Sequence, residues 1–336
     1  MAVNSYPAYL LRRLGQFVLV IFIGINLTFF ITHATPIDPV EQTIAASTAF
    51  GSTSPEAIET MRQSLRELYG LEGGLPRQYL VFWKRMALGD FGPSLSAFPT
   101  PVAVLIWRAL PWTAGLLCFA TLLAWCLGNL LGGLAGYYRD SRLLRLAGVV
   151  AMGLHPIPYY IVAFVLLIVF GYLWPVLPIS GGAQINLPRG LDLRFIASVL
   201  LHAILPAMSL VLVGIGGWFM SMRSLVSNIV TEDYVTYAEL GGVARGRILR
   251  AYVMRNALVP QVTGLAISLG GIFNGAIITE QVFGYPGIGT LLVDAVHAGD
   301  YSLVLGIATV SIAAVATSVL LIDLAYPLLD PRAKAR

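Results

Sequence analysis

Charged residues are scarce in this chain, and lysine is almost absent. Asp, Glu, Lys and Arg make up 11% of the 336 residues, and the only lysines are Lys84 and Lys334. Neither lysine lies in a G-x-x-x-x-G-K-[ST] pattern, which excludes a P-loop nucleotide site in this chain. Hydrophobic residues account for 57% of the sequence, and the mean hydropathy is +0.78. This composition indicates an integral membrane protein.

Residues for metal binding and redox chemistry are equally scarce. Cys118 and Cys126 lie in one apolar run, about 12 Å apart along a helix, which is too far for an intrachain disulfide. We interpret both as packing residues. No group of Cys, His and carboxylate residues has metal-ligand spacing, and the G-x-S-x-G and H-E-x-x-H patterns are absent. We therefore expect no metal site and no cofactor in this chain.

Apolar runs long enough to cross the roughly 30 Å hydrocarbon core of a bilayer recur along the chain. Six of them cover residues 14–31, 112–137, 146–173, 199–222, 258–279 and 302–322. We predict an all-α, polytopic membrane protein with six transmembrane helices, of which the first is an uncleaved span. Pro156 and Pro158 interrupt the third run, and we expect them to kink or locally unwind it.

The centres of all six runs lack Asp, Glu, Lys and Arg. Secondary transporters usually place ionisable residues near the bilayer midplane, so this absence disfavours an ion-coupled transporter or channel. His155 and His202 lie near helix ends, where we expect hydrogen-bonded interfacial histidines instead of a proton relay. Asp294 and Asp323 lie at or beyond the ends of runs on opposite faces, which disfavours an intramembrane enzyme with paired acids.

Composition divides the chain into three parts. Residues 1–32 hold the N-terminal tail and the first run, and residues 33–110 form a mixed-charge insert outside the membrane. Residues 111–336 form the transmembrane core, which carries a cytoplasmic loop at 223–257. The insert contains several amphipathic stretches, so we expect it to be folded.

Basic residues cluster on one side of the predicted membrane. The inside segments hold Arg12, Arg13, Arg139, Arg142, Arg145, Arg223, Arg245, Arg247, Arg250, Arg255, Arg332, Lys334 and Arg336. The short outside loops hold only Arg189 and Arg194. The positive-inside rule therefore places both termini in the cytoplasm. The net charge of +4 marks sidedness, and we expect no nucleic-acid partner.

Small residues recur within the second and fourth runs. The glycines concerned are Gly128, Gly132, Gly133, Gly136, Gly214, Gly216 and Gly217. Such residues let helices approach closely in lipid. We favour helix packing as their role, and lining of a translocation path is the alternative.

The longest patterned polar stretch covers residues 233–260. Asp233 can cap a helix start, and Gly241 with Gly242 can stop that helix. A second helical run follows, with Ile248, Leu249 and Tyr252 on one side and Arg247, Arg250 and Arg255 among its polar positions. We predict two short helices hinged at the glycine pair, which form a rigid knob at the membrane surface.

This stretch resembles a loop found in a known family. Asp233-Tyr234-Val235, Ala238, Gly242 and the run Arg-Asn-Ala-Leu at 255–258 are similar to the cytoplasmic "EAA" loop of ABC importer permeases for dipeptides, oligopeptides and nickel. The resemblance implies a coupling helix, around residues 237–246, that docks in a groove of a separate ATPase. The loop residues that it implies are Asp233, Tyr234, Ala238, Glu239, Gly242, Arg245, Arg247, Arg250, Arg255 and Asn256. The sequence departs from the family's pattern at Glu239-Leu240-Gly241, before Gly242, and at Ala244, after it, so the register of the contact helix stays open.

A second stretch resembles the same permeases. Residues 279–289 read TEQVFGYPGIG and are similar to the family's T-E-x-x-F-x-x-P-G-x-G loop, which ends in a D-Y pair like Asp300-Tyr301. We expect a partly re-entrant turn on the outer face. The gate-loop residues that the resemblance implies are Glu280, Phe283, Pro286, Gly287, Gly289 and Asp300.

Looser fragments of the same family occur in the correct order elsewhere. They are Pro36-x-Asp38-Pro39, residues 65–71, 78–80 and 88–92, Pro101-Val102, and the tail 323–332. With them, the resemblance extends from residue 10 to residue 332. It implies a type I ABC importer permease fold with a periplasmic insert between helices 1 and 2.

The resemblance also implies a function and partners. The chain would be the B-type permease subunit that forms a path for di- and oligopeptides across the bacterial inner membrane, and it would not itself be an enzyme. Its partners would be a homologous second permease, two ABC ATPase subunits that bind ATP and Mg²⁺, a periplasmic or lipid-anchored solute-binding protein, and membrane lipid. Oligosaccharides or nickel complexes are alternative substrates. An ion-coupled transporter or channel and a membrane scaffold that only recruits a soluble partner remain as alternative functions.

Overall fold

The computed structural model describes residues 5–34, 40–41, 44–45, 54–188, 190, 192–274 and 276–329. These residues are overwhelmingly helical, and the only β feature among them is an isolated bridge between Pro93 and Pro101. The helices are α1 (Ser5–Ala34), α2 (Pro55–Tyr69), α3 (Leu75–Ala87), α4 (Val102–Tyr137), α5 (Arg142–Leu154), α6 (Tyr159–Leu167), α7 (Leu193–Ile229), α8 (Asp233–Leu240), the single turn α9 (Arg245–Arg247), α10 (Arg255–Gly270), α11 (Ile277–Val282), α12 (Ile288–His297) and α13 (Tyr301–Leu329). Segments Ile168–Leu173 and Ile248–Met254 are π-helical, and Gly271–Asn274 is a 3₁₀ turn. The fragments at Pro36, Asp38 and Pro39 and at 330–332 lie outside the described residues.

Within the described residues, four helices are long and apolar enough to cross a membrane. These spans are Tyr9–Ile31, Val102–Tyr137, Leu193–Ile229 and Tyr301–Leu324. The pair Arg142–Leu154 and Tyr159–Leu173 counts as a fifth span if the two helices are taken together. The predicted run 258–279 is instead divided among α10, the 3₁₀ turn that follows it directly, and α11, and Ala276 before α11 is not helical. The all-α membrane fold is thus confirmed, whereas the six spans stay a prediction.

The third predicted run is broken. Helices α5 and α6 meet at an angle of 103°, and the residues between them include Pro156 and Pro158. A proline has no N–H for the helix ladder and drives its preceding residue out of the α region. Two prolines separated by Ile157 therefore end α5 and let α6 begin in a new direction. The predicted interruption is confirmed, and it is a sharp turn rather than a gentle kink.

Helices α4 and α7 pack along a seam of glycines. A Cβ added to Gly136 would lie 2.8 Å from the Val226 Cβ, and one added to Gly132 would overlap the Phe219 carbonyl. Gly216 is equally close to the Ala151 carbonyl. Since the backbones approach too closely for larger residues, the packing interpretation of these glycines is confirmed.

The sequence analysis predicts packing roles for both cysteines and hydrogen-bonding roles for His155 and His202, and Cys126 is the one exception. Both thiols are free, but Cys126 is exposed, so only the half-buried Cys118 fits the packing interpretation. The His155 ring approaches the Val213 carbonyl at 3.4 Å. The His202 ring lies 2.7 Å from the Ser198 carbonyl. The expectation of hydrogen-bonded histidines is confirmed.

Helix α1 packs along α13. A Cβ on Gly24 would lie 3.0 Å from Ile312, and Arg13 forms a 3.0 Å ion pair with Asp323 near the other end of the contact. The Tyr9 hydroxyl donates to the Asp323 carbonyl at 3.0 Å. The first and last spans are therefore neighbours, so the two ends of the transmembrane core meet.

Helices α2 and α3 belong to the insert between α1 and α4. Gly70 ends α2 with φ +68°, and the Arg85 guanidinium of α3 donates to the Leu68 carbonyl at 2.7 Å. A cation at the carbonyl end of a helix satisfies groups that have no partner within the helix. The insert is thus built as a helical pair joined by a short turn.

Candidate functional site

Helix α8 begins at Asp233, but its cap is not the predicted one. Glu232 occupies the cap position with an extended backbone (φ −74°, ψ 145°) and makes no side-chain cap hydrogen bond. Its carbonyl accepts the N–H groups of Val235 and Thr236 at 3.0 and 3.2 Å. The prediction that Asp233 caps the helix is therefore wrong by one residue. Asp233 lies in the first turn, where a negative charge interacts favourably with the helix dipole.

One face of α8 is buried and the opposite face is exposed. Val235 and Ala238 are buried with Ile248 in a hydrophobic cluster that α7 also joins. On the other side, Tyr237 and Leu240 are 70% and 80% exposed. Because a short helix is fixed mainly by burying one face, α8 is a firmly seated helix that presents an aromatic and an aliphatic side chain outward.

The glycine pair forms the turn that ends α8. The Val243 N–H donates to the Ala238 carbonyl at 3.1 Å, and the Gly242 N–H donates to the Glu239 carbonyl at 3.0 Å. This pair of bonds defines a Schellman motif, whose left-handed position is Gly242 at φ +74°. Gly241 has an ordinary φ of −75°. The predicted hinge is confirmed, and Gly242 is the residue that needs to be glycine.

The segment after the turn separates arginines from apolar residues. The exposed arginines are Arg245, Arg247, Arg250 and Arg255. The buried residues between them are Ile248, Leu249 and Val253, and Tyr252 is half-buried. Within the described ranges none of the four arginines forms an ion pair. The predicted division into two faces is confirmed, and it leaves an unpaired basic surface beside the tip of α8.

Side-chain hydrogen bonds connect this loop to the transmembrane helices. The Asn256 amide donates to the Tyr234 hydroxyl at 3.2 Å and to the Tyr252 carbonyl at 2.7 Å. The Tyr137 hydroxyl, at the end of α4, donates to the Arg245 carbonyl at 3.2 Å. Asn256 of α10 thus contacts α8, and Tyr137 of α4 contacts α9, the turn that follows α8.

The second predicted region is organised around the buried carboxylate of Glu280. The Thr113 hydroxyl donates to Oε1 at 2.7 Å, and the Gly289 and Thr290 N–H groups donate to Oε2 at 2.7 and 3.2 Å. Thr113 Oγ1 in turn accepts the Ile288 N–H at 2.8 Å. The free N–H groups at the start of α12 are therefore satisfied by side chains of α11 and α4.

The glycines of this turn are required by close approach to Glu280. A Cβ on Gly287 would overlap the Glu280 carboxylate, and one on Gly289 would lie 2.7 Å from the Ile277 Cα. The glycine-rich turn therefore wraps around a carboxylate of the same chain.

Phe283 and Pro286 belong to the Glu280 turn and pack it against neighbouring parts of the chain. Phe283 is buried in a cluster with residues of α6 and α7. A Cβ on Gly182 would lie 2.7 Å from the Pro286 ring, and the Trp112 and Tyr285 rings meet edge to face at 5.6 Å. The predicted turn is thus packed against the loop that precedes α7 and against α4.

Asp300 connects the insert to α13. Its Oδ2 accepts from the hydroxyl groups of Ser94 and Ser96 and from the Ser96 N–H, while Oδ1 accepts the Leu303 N–H at 3.0 Å. One carboxylate therefore caps α13 and anchors the segment before α4. Burial, followed by the negative charge of Asp300, raises the pKa of Tyr69 to about 12.

The two predicted regions lie at opposite ends of α4. Thr113 contacts Glu280, and Tyr137 contacts the Arg245 carbonyl. The two α4 residues are separated by about 36 Å at the usual helical rise. The α8 loop and the Glu280 turn are therefore separated by a length of helix that is sufficient to span a bilayer.

Three polar residues of these sites were missed by the sequence analysis. Thr113 lies 167 positions from Glu280, and Ser94 and Ser96 lie 206 and 204 positions from Asp300. No local spacing connects such distant residues. The one available signal is the polar hydroxyl of Thr113 within an apolar run, and it does not identify a partner.

Comparison with known proteins places these features in a family. Residues 128–335 match the family described as "Binding-protein-dependent transport system inner membrane component". The dipeptide transport system permease protein DppB of Escherichia coli K12 is 32% identical, over 96% of this chain and 98% of the relative. The probable D,D-dipeptide transport system permease protein DdpB of the same strain is 30% identical, over 98% of each chain. The oligopeptide transport system permease protein AppB of Bacillus subtilis 168 is 29% identical, over 97% of this chain and 98% of the relative.

The family match includes both predicted regions, since the α8 loop, Glu280 and Asp300 all lie within residues 128–335. It covers more than half of the chain, and the relatives extend it to nearly the whole length. The chain therefore belongs to the family of inner membrane components of binding-protein-dependent transport systems, which are multi-pass membrane permeases.

Proposed function

We propose that this chain is the B-type permease subunit of a bacterial ABC importer and forms part of the path for di- and oligopeptides. The named relatives support the substrate class, because the three described above are dipeptide, D,D-dipeptide and oligopeptide permeases. The observation that carries the mechanism is the α8 loop, which presents Tyr237 and Leu240 outward from a buried base. An exposed tyrosine on a rigid element, with arginines beside it, is a typical anchor for a protein partner.

The proposed topology has six spans with both termini in the cytoplasm. The broken run 258–279 would serve as the fifth span, and neighbouring helices would satisfy the backbone groups that its breaks leave free. The unpaired arginines beside α8 support a cytoplasmic position for that loop. The Glu280 turn and the insert 33–110 then lie on the outer face, while residues 111–336 form the permease core and 223–257 its coupling loop.

The proposed energy source is a partner, because neither lysine of the sequence lies in a P-loop pattern. Two ATPase subunits would bind ATP and Mg²⁺ and dock on α8 of this chain and of a homologous second permease. A partner shifts a conformational equilibrium only if it binds the two states with different affinity. The burial of Val235 and Ala238 against Val226 of α7 supports such transmission, since movement of the docked helix would push on α7. An external solute-binding protein would deliver the substrate.

The experiment that tests this proposal is purification of the chain from its native membrane in a mild detergent, followed by mass spectrometry. We expect near-stoichiometric recovery of a second permease and of P-loop ATPases. Recovery of the chain alone, under conditions that keep a known ABC importer intact, would contradict the proposal and favour a self-sufficient transporter. Reconstituted uptake of labelled dipeptide, competed with oligosaccharide or nickel, then separates the three substrate classes.

A further inference from the structure

The segment that leads from the α8 loop into α10 is π-helical. It covers Ile248–Met254 and continues directly into α10, which begins at Arg255. A π-helix closes its backbone bonds between residues i and i+5, whereas an α-helix closes them between i and i+4, and π-segments inside α-helices are rare and often lie at functional sites. The π-segment therefore holds about one residue more than an α-helix between the same flanking contacts requires.

One side of the π-segment packs against α8. Ile248 is buried in the same hydrophobic cluster as Val235 of α8. The Asn256 amide, in the first turn of α10, donates to the Tyr252 carbonyl inside the π-segment and to the Tyr234 hydroxyl of α8. The π-segment is thus in contact with the helix on which the proposed ATPase partner docks.

Polar groups hold α10 against both α7 and α4. The Gln261 amide is buried and donates to the Ser221 hydroxyl of α7 at 2.8 Å. The Trp125 indole N–H of α4 donates to the Gln261 backbone carbonyl at 3.0 Å. A Cβ on Gly264 of α10 would lie 3.1 Å from the Trp218 ring of α7. Gln261 therefore lies where the three helices meet, and its side chain is bonded to α7.

Asn129 of α4 lies beside this junction and has an amide that is only half satisfied. It is 3% exposed, and its Nδ2 donates to the Trp125 carbonyl at 2.8 Å. Among the residues that the structure describes, none donates to its Oδ1. A buried acceptor without a donor is costly, and one that persists in a folded protein requires an explanation. A donor that reaches Oδ1 in a second arrangement of the helices would provide one.

The side chains of Asn129 and Gln261 lean toward each other. Gln261 contacts α4 at Trp125, and a Cβ on Gly133 of α4 would overlap the Met254 sulfur. Asn129 lies between these two contacts, about one helical turn from Trp125. The contacts also show that α4 and α10 are antiparallel. Because side chains lean toward the N-terminus of their own helix, the two amides lean into the same space.

Conversion of the π-segment to an α-helix would turn Gln261 from α7 toward α4. An α-helix completes a turn with fewer residues than a π-helix, since its bonds reach one residue less far. If the start of the segment stays fixed, α10 therefore rotates onward in the sense in which the chain winds. On a helical wheel this sense leads from Gly264, which faces α7, past Gln261 to Met254, which faces α4.

We infer that the π-segment is a conformational switch. When it becomes α-helical, α10 turns and the Gln261 amide exchanges the Ser221 hydroxyl of α7 for Oδ1 of Asn129 on α4. Helices α4 and α7 are packed along the glycine seam, so α10 is the helix that moves. The inference rests on the proposed function for the source of the movement, which is displacement of α8 by the ATPase partner. The described structure is the state with Gln261 on Ser221.

The first test removes one residue from the π-segment. Deletion of Ala251, which is exposed, lets the remaining bonds close from i to i+4 while the flanking faces keep their contacts. We expect this variant to melt in detergent at or above the temperature of the wild type. Dipeptide uptake should fall by about tenfold or more, because the second state is no longer populated. Wild-type uptake by the deletion variant would overturn the inference.

Asn129→Leu tests the second state without changing the length of the chain. It removes an unpaired buried acceptor from the described state, so we expect an equal or higher melting temperature together with reduced uptake. Cys126→Leu, at an exposed position on the same helix, should keep both properties. A purely structural asparagine would give a lower melting temperature on replacement. That result would show that Oδ1 is already satisfied in the described state, and it would overturn the inference.

Cross-linking follows the exchange of partners directly. In a chain with Cys118→Ala and Cys126→Ala, Gln261→Cys is paired either with Ser221→Cys or with Asn129→Cys, and the reconstituted complex is treated with a short bifunctional thiol reagent. We expect ATP with vanadate to lower the yield of the first pair and to raise that of the second several-fold. Unchanged yields in a complex that retains vanadate-trapped ADP would overturn the switch and leave the importer function intact. A complex that traps no nucleotide would contradict the proposed function and the switch with it.

Discussion

The Thr113 hydroxyl donates a 2.7 Å hydrogen bond to the buried carboxylate of Glu280 and accepts the Ile288 N–H at 2.8 Å. One hydroxyl thus joins α4 to both helices of the Glu280 turn. Replacing it by a methyl group leaves a buried carboxylate oxygen and a buried N–H without that partner. Each unsatisfied buried group costs about 1–3 kcal/mol.

We therefore expect Thr113→Val to destabilise the protein, although valine has nearly the shape of threonine. The melting temperature in detergent should fall by several degrees. Thr113→Ser keeps the hydroxyl and should melt close to the wild type. The assigned hydrogen bonds would be contradicted if the valine and serine variants melted together.

A substitution at Gly242 tests whether the turn that ends α8 takes part in docking. Its φ of +74° disfavours other residues by about 1–2 kcal/mol, yet nothing lies within 4 Å of an added Cβ. Gly242→Leu should therefore insert in the membrane and fold, while its side chain projects from the proposed docking surface and abolishes uptake.

Gly246 offers a matched control for this variant. It also has open space around an added Cβ, but it has no positive φ. Gly246→Ala should keep both membrane level and uptake. Wild-type uptake by Gly242→Leu, measured in cells with equal amounts of protein in the membrane, would count against a coupling role for this turn.

Tyr237 should act as an anchor for the ATPase partner. It is 70% exposed on a seated helix, and truncation of an interface aromatic commonly costs about 2 kcal/mol or more of binding free energy. We expect Tyr237→Ala to reduce co-purification of the ATPase at least tenfold while the melting temperature of the chain alone is unchanged. The neighbouring Thr236→Ala, also exposed, should retain the partner. Equal retention in both variants would argue against α8 as the contact helix.

Asp300 performs two separable tasks. Asn can replace Asp as a helix cap, so Asp300→Asn should still accept the Leu303 N–H. The amide has one fewer acceptor oxygen, and the anchor for Ser94 and Ser96 should weaken. We expect faster limited proteolysis between residues 88 and 101 with little change in the melting temperature.

Asp300→Ala removes the cap as well. This variant should be less stable by an additional 1 kcal/mol or so, about the value of a helix cap. If Asp300→Asn were as resistant to protease as the wild type, the anchoring role of the carboxylate would be disproved.

Features encoded within a few residues could be predicted from the sequence. The buried face of α8, the exposed arginines and the turn at Gly242 all follow from helical spacing and from the conformational freedom of glycine. The sequence predicts Asp233 as the N-terminal cap of α8, one residue too late. Glu232 and Asp233 are both acidic, and the extended backbone of Glu232 makes it the cap residue. Helix ends are uncertain by one or two residues in general.

Features that depend on distant contacts could not be predicted. Hydropathy treats 258–279 as one run because Gly271, where the 3₁₀ turn begins, and Ala276, which is not helical, are both apolar. The prolines at 156 and 158 indicate a lost hydrogen bond but not the 103° angle that packing imposes. The sequence does not indicate that Thr113 and Glu280 are in contact, because only folding brings α4 next to α11.

The glycine seam between α4 and α7 also limits how these helices can move. Atoms of Trp218, Phe219 and Val226 on α7 occupy the spaces left open at Gly128, Gly132 and Gly136. A shift of α4 along the seam would bring larger residues against these atoms, so the glycines hold the two helices in one register. Because Thr113 and Tyr137 belong to the same continuous helix, α4 and α7 together form one stiff unit that joins the Glu280 turn to the α8 loop.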